Sequence, residues 1–272
     1  MANKEPIGWI TVNGRHIPIF EGESKDQAVN RYIAKTNEEK KQKDIARNKA
    51  QADKLNGIQE SYKVFTDTEN PISWFRENSN WSDWENSYES GLYEAMDTIR
   101  WYTSSGYGQI NYSLYNTKRG DIDDQTLENI KILEDAISRF ELYKGVEVSR
   151  HSDFVIFGGQ PYGKMTIDDI KQFLAPTNGV VQNDAFMSFS ADAKGRAIMG
   201  KRGLITHLRI PKSKGAGMYV SDYSVHPKEK EFILNDRAIL KYDLDSIYQD
   251  DTGVIHIYAD WLGQADKRTI DK

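Results

Sequence analysis

The chain contains no cysteine, which excludes disulfides, thiolate metal sites and cysteine nucleophiles. No apolar run approaches the length of a membrane span. The opening residues, Met1 to Pro6, lack the apolar segment of a secretion signal. Sec export is therefore not expected, and action inside a host cell would need another route of delivery. The five histidines, His16, His151, His207, His226 and His256, are scattered without ligand spacing, so no metal site is expected. Gly158-Gly159-Gln160-Pro161-Tyr162-Gly163 is rich in glycine but lacks the Lys-Ser/Thr ending of a phosphate loop. No GxSxG elbow supports a serine hydrolase. The net charge of −5 argues against broad nucleic-acid binding.

What is present is a soluble, globular composition. Of 272 residues, 28% are charged and 11% aromatic, enough for one large domain with an appendage. Near the start, apolar runs flank Asn13-Gly14 between Gly8 and Phe20, a short-range hairpin signal. Ser24 and Gln27 resemble a capping box opening a helix. That helix runs into Glu38–Asp44, where apolar periodicity nearly vanishes, as in a solvent-exposed or bridging segment. Residues 1–60 therefore read as an arm or linker, and 65–265 as the main domain.

In that domain helices come first. Trp74, Phe75, Trp81 and Trp84 form an aromatic cluster. Leu92, Ala95, Met96 and Ile99 keep helical spacing, and so do Leu127, Ile130, Leu133, Ile137 and Phe140. Between them, Tyr102–Asn111 reads as a Gly/Ser turn followed by a short helix. Beyond residue 145 short strands take over, at 146–150, 185–190, 204–210, 218–220, 231–234, 238–242 and 254–261. One helix interrupts them, opened by a Thr166/Asp169 capping box. Helices followed by strands indicate an α+β fold.

Glu229-Lys230-Glu231 stands at the mouth of an apolar strand, after a loop ending in Pro227. In an extended backbone residues i and i+2 share a face, so both carboxylates enter one pocket while Lys230 points away. Two acids in one pocket repel, a common way to poise groups for chemistry. Most such triplets are nevertheless solvated surface. A strand-end arginine is often a structural ion pair, and a strand serine is usually just a satisfied hydroxyl. The order gives the triplet weight: Arg150 at the end of a strand, then Ser188-Phe189-Ser190, then Glu229-Lys230-Glu231.

This ordered trio resembles the arginine–serine–glutamate class of mono-ADP-ribosyltransferase toxins and exoenzymes. Asp184–Ser190 is similar to the family's "GFxSTS" strand, Gly217–Val220 to "GAYI", Glu229–Leu234 to "ExEFLL", and Tyr102–Asn111 to "YTGxGYxxIN". The resemblance covers about residues 65–262. Gly8–Lys35 resembles a linker of phage minor head proteins fused to this domain, which implies association with a phage capsid through the arm, or a cytoplasmic protein acting after delivery. The usual Tyr-Arg-Gly is Ser149-Arg150-His151 here. Tyr143-Lys144-Gly145 is an alternative match, and Arg150 is preferred because Val146–Arg150 alternates as a strand should. Family members often carry an aromatic about ten residues past the serine motif, and Ala191–Gly203 contains none.

The resemblance implies a helical layer on two antiparallel sheets that form an NAD cleft, with NAD as co-substrate and no metal. Breaking the nicotinamide–ribose bond passes through an oxocarbenium-like state, which a fixed carboxylate stabilises. By resemblance Glu231 is that carboxylate, Ser188 holds its rotamer, and Arg150 clamps the dinucleotide phosphates. His151 and Ser190 complete the NAD contacts. Glu229 faces the acceptor, and Tyr223 joins it in the acceptor-recognition loop. A glutamate at this first position goes with arginine acceptors, so the implied partner is a protein arginine. Two other readings remain: a catalytically silent interaction module with the same fold, or an NAD glycohydrolase.

Overall fold

The computed structural model describes residues 6–12, 15–33, 35, 61–66, 68–87, 91–116, 121–159, 163–192 and 203–265. The chain divides into two compact units, Met1–Gln51 and Ala52–Lys272.

In the first unit, β1 (Gly8–Val12) and β2 (Arg15–Ile19) pair antiparallel. Asn13 and Gly14, expected to make the turn, lie outside the described residues, as does the polar stretch 38–44. Residues 25–33 form helix α1. The expected capping box opens it: the Ser24 amide donates to Gln27 Oε1 and the Gln27 amide to Ser24 Oγ. Ile17 and Ala28 are buried. Arg31 donates to Glu23 and to the Pro18 carbonyl, tying helix to hairpin.

The second unit starts with helices, as its periodicity predicts: α2 (Pro71–Glu77), α3 (Trp81–Asn86), α4 (Leu92–Trp101), α5 (Tyr107–Asn116) and α6 (Asp124–Arg139). The aromatic cluster belongs to the core. Phe75 stacks on Tyr219 at 4.3 Å, and the Trp84 indole donates to the Ala136 carbonyl, joining α3 to α6. Tyr102–Gly106 is not the expected turn but one π-helical turn running α4 into α5. Gly106 is required there, since a Cβ would stand 2.5 Å from the Trp101 ring. Such π-bulges recur at functional sites. Helix α7 (Ile167–Leu174) carries the expected Thr166/Asp169 capping box.

The strands are β3 (Glu141–Leu142), β4 (Val146–Ser152), β5 (Val180–Asn183), β6 (Met187–Ser190), β7 (Leu204–Ile210), β8 (Ser213–Lys214), β9 (Gly217–Tyr219), β10 (Glu231–Leu234), β11 (Ala238–Tyr242), β12 (Tyr248–Gln249) and β13 (Ile255–Gln264). Instead of two separate sheets, one order runs β5-β11-β13-β7-β4-β6-β10-β9, with β12 on β13. Its pairs are antiparallel except β13 with β7. The two expected sheets are its halves. They join at a single register pair, Ser149 opposite Ser190, whereas β4 and β7 pair along seven residues. A seam this narrow lets the strands splay and a cleft open beside it.

Candidate active site

Three neighbouring strands deliver the candidate side chains to the seam. Arg150 stands on β4, Ser188 and Ser190 on β6, and Glu231 opens β10 opposite Ser190. Arg150 Nη1 donates to the Ser188 carbonyl at 2.6 Å. A cavity of about 380 Å³ lies there, lined by Arg150, His151, Ser188, Ser190, Glu229 and Glu231 among others. Lys144, the alternative to Arg150, lies in the exposed link between β3 and β4 and does not line it.

The two glutamates meet in the cleft by a different route from the one their spacing suggested. Glu229 ends a 3₁₀ turn over Pro227–Glu229, and Lys230 follows in the left-handed conformation at φ 50°. The strand begins only at Glu231, so a turn and not the pleat brings the carboxylates together. Lys230 does point away: its Nζ donates to the Glu69 carbonyl at 2.8 Å and lies 3.5 Å from the buried Asp192 carboxylate. The Lys230 carbonyl accepts from the Ala191 amide, and Ser190 Oγ donates to the Glu229 carbonyl at 2.7 Å. The turn is thus held from both sides.

Glu231 is 4% exposed. Burial pushes its carboxyl up to about 7; hydrogen bonding from Ser188 opposes this, and the neighbouring Glu229 charge adds to it. Ser224 Oγ approaches Glu231 Oε2 at 3.4 Å. Glu229 is also raised, by burial, with His226 pulling the other way. The two acids are therefore unequal, one walled in beside a serine and one nearer the rim. Environments that push paired carboxylates apart are how acid and base roles are separated.

Tyr223, expected in the acceptor loop, needs correcting. It is buried, its ring stacks on Trp81 at 5.8 Å and its hydroxyl donates to Glu85 at 2.6 Å. Its large ring serves the helical layer, and His226 lines the cleft from that loop instead. Phe189, between the two serines, is buried yet also lines the cavity. Sequence reasoning missed Tyr102, Tyr107 and Asn111, which line the cavity from the π-turn and α5. Asn111 Nδ2 donates to the Tyr102 hydroxyl at 3.3 Å. The signal was available: these residues fall in the segment that carried the resemblance. Among the described residues no cluster of three or more His, Asp or Glu could hold a metal ion, and no helix is long and apolar enough to cross a membrane.

The sequence profile of the ADP-ribosyltransferase exoenzymes matches residues 73–261, more than half of the chain and all of the cleft. The chain belongs to this family. Solved structures agree on the fold of this exoenzyme. Plx2a, an ADP-ribosyltransferase toxin from Paenibacillus larvae, superposes with a TM-score of 0.61 at 20% identity, covering 75% of this chain and 100% of that one. An ADP-ribosyltransferase from Clostridium botulinum, solved in a triclinic crystal form, gives 0.60 at 18%, covering 74% and 99%. C3stau2 from S. aureus, solved with NAD, gives 0.56 at 17%, covering 74% and 98%. Among curated proteins, none matches the chain in sequence.

Proposed function

We propose that this exoenzyme cleaves NAD at the nicotinamide–ribose bond and transfers ADP-ribose to an arginine of a target protein. The observation that carries the reading is the convergence of Arg150, Ser188, Glu229 and Glu231 on one cleft, with Glu231 buried beside Ser188. The donors present suit a dinucleotide. Arg150 spends Nη1 on the Ser188 carbonyl, but its buried Nε has no hydrogen-bond partner in the protein. A buried guanidinium donor left over in a cleft fits a phosphate oxygen.

The roles follow from placement. Arg150, with His151 beside it, would hold the phosphates and fix the sugar before the bond breaks. Glu231 would bind the ribose 2′-hydroxyl and stabilise positive charge developing on the sugar, with Ser188 and Ser224 holding the carboxylate in place. Ser190 braces the turn through the Glu229 carbonyl. Tyr107, half exposed on the cleft wall, supplies the aromatic face missing from 191–203. Glu229, nearer the rim, would receive the acceptor. A carboxylate there suits a guanidinium, which it can pair with and relieve of a proton, and this supports arginine as the acceptor. Residues 1–60 we assign to docking or delivery, capsid association included, on the strength of their resemblance to a phage head-protein linker.

Labelled NAD with a cell lysate tests this directly. Labelled protein bands whose label is released by reagents that cleave arginine linkages are expected. Glu229→Gln should abolish the bands while leaving much of the slower nicotinamide release, because water needs less activation than a guanidinium. Free ADP-ribose alone would mean a glycohydrolase, and silence would mean an interaction module. Equal loss of both activities in Glu229→Gln would overturn the division of labour between the glutamates.

A further inference from the structure

Two histidines that looked unrelated in the sequence meet on the sheet behind the cleft. His207 lies on β7 and His256 on β13, and the parallel pairing of these strands brings their rings together. His207 Nε2 and His256 Nδ1 are 3.0 Å apart. At one end of the pair, His256 Nε2 lies 3.3 Å from Asp250 Oδ2. At the other, His207 Nδ1 lies 3.1 Å from Ser149 Oγ. Tyr248 stacks on His256 at 4.7 Å and Tyr258 on His207 at 4.6 Å, so both rings are fixed in plane.

The direction of this chain of bonds follows from its far end. Asp250 is held well below the usual carboxylate range, chiefly by hydrogen bonding from Thr252, and so accepts only. His256 therefore turns an N–H on Nε2 toward Asp250, and in the neutral ring Nδ1 is left to accept. His207 then carries its proton on Nε2 and donates it to His256. Its Nδ1 has only a lone pair to offer, so the Ser149 hydroxyl must donate. Glu147 Oε1, 3.7 Å from the same nitrogen, is beyond hydrogen-bond range. His207 stays neutral in this arrangement. For His207 that agrees with a value pulled down to about 4, by burial first and by His256 second.

Ser149 is the residue where the two half-sheets join, opposite Ser190, and it precedes Arg150. It also stands where the family usually has tyrosine. We propose that Asp250, His256 and His207 form a hydrogen-bonded relay that fixes the Ser149 hydroxyl and so positions the Arg150 strand at the seam. All four are positioning residues, and the functional consequence rests on the reading of Arg150 as the phosphate contact. The relay reaches Ser149 from β7 and β13, and Ser149 itself also lines the cavity beside Arg150.

The test has two arms on the full chain. Nitrogen-15 spectra of the histidine rings need no NAD: His207 should be the Nε2–H tautomer between pH 6 and 8, with its ring proton shifted downfield and protected. A His207 proton on Nδ1 would overturn the relay. Calorimetry with NAD is the second arm. Losing one neutral hydrogen bond of this kind should weaken NAD binding roughly threefold to tenfold in Ser149→Ala. Ser149→Thr, which keeps the hydroxyl, should restore it. Asp250→Asn, at the half-exposed end and outside the cleft, keeps an oxygen for its own turn but presents an amide donor to His256. It should shift affinity the same way, by less. Because Ser149 itself lines the cavity, Asp250→Asn decides: unchanged affinity there would overturn the positioning role whatever Ser149→Ala does. If Arg150→Ala left NAD affinity intact while the His207 ring proton was as expected, the phosphate reading would fail and the relay would stand.

Discussion

The two halves of the sheet meet at one residue pair and treat charge in opposite ways. Around β10 every residue is buried: Phe232, Ile233 and Leu234 are fully enclosed, and Glu231 enters the cleft from that dry strand. Around β4, β7 and β13 one face is apolar, with Val146, Val148, Leu208 and Ile257. The other is polar, with Glu147, His207, Arg209, Tyr258 and Asp260. Arg150 is only partly buried, and the dry half carries the carboxylate while the wetter half carries the cation. An acid walled from water interacts strongly with charge that develops beside it, and it resists ionising beforehand. A guanidinium gains less from dryness, because it must admit an anion and release it. The split therefore fits charge stabilisation on one side of the seam and substrate holding on the other.

The largest effect should come from neutralising the dry side. Glu231→Gln should lower nicotinamide release by about 10²–10³ or more, the usual cost of losing a preorganised electrostatic group. The same change should stabilise the fold. Burial lifts the folded carboxyl from 4.5 to about 7, so between those values the folded chain holds a proton that the unfolded chain has released. Stability accordingly falls as pH rises through that window and stays lower above it. Glutamine removes the cost, a gain of roughly 1–3 kcal/mol at pH 8 and almost none at pH 4.5. Melting curves of both proteins at the two pH values check this; equal shifts at both would break the contrast between the halves. Catalysis needs the ionised form, so kcat/KM of the unmutated protein should climb as pH rises through about 7.

The wet side should respond through binding. Arg150→Ala should weaken NAD affinity by roughly 1.5–3 kcal/mol, the range for a charge-assisted hydrogen bond. Lys144→Ala should leave it within error, since Lys144 does not line the cleft. Calorimetry of the two variants side by side decides between the two alignments of this strand. If Lys144 proves the sensitive residue, the cation does not come from β4.

Much of this was legible in sequence because it is local. The helix spacings, both capping boxes, the apolar strand at 231–234 and the order arginine, serine, glutamate all sit within short windows. What was not legible depends on pairing between distant strands. Nothing near His207 or His256 announces that parallel pairing of β7 with β13 will join them. Tyr223 was placed in the acceptor loop by resemblance, yet Trp81, 142 positions earlier, claims its ring. The π-turn at Tyr102–Gly106 looked like a turn because Ser and Gly usually make one, whereas here the glycine lets the segment pass close to the Trp101 ring within a continuous helix. The two glutamates were placed together correctly for the wrong reason. Spacing of two implied a pleat, but Lys230 in the left-handed region supplies the geometry.

That residue gives the smallest and most local test of the seam. Lys230 links the dry half to its surroundings: its amine reaches the Glu69 carbonyl and approaches Asp192 just past β6. Its backbone meanwhile occupies a conformation that costs a non-glycine residue roughly 1 kcal/mol. Lys230→Met keeps that cost and loses the amine, so it should destabilise by roughly 1–3 kcal/mol, as expected when a buried carboxylate loses a nearby cation. Lys230→Gly loses the amine too but relieves the left-handed strain, and should fall about 1 kcal/mol short of the Met variant, less whatever glycine adds to unfolded-state entropy. Denaturant midpoints give both differences. If Lys230→Met matches the unmutated protein, the amine contacts do not hold the turn. If Lys230→Gly is the less stable variant, the backbone strain is not what the left-handed φ implies, and the spacing of the two carboxylates must be set from the Ser190 side alone.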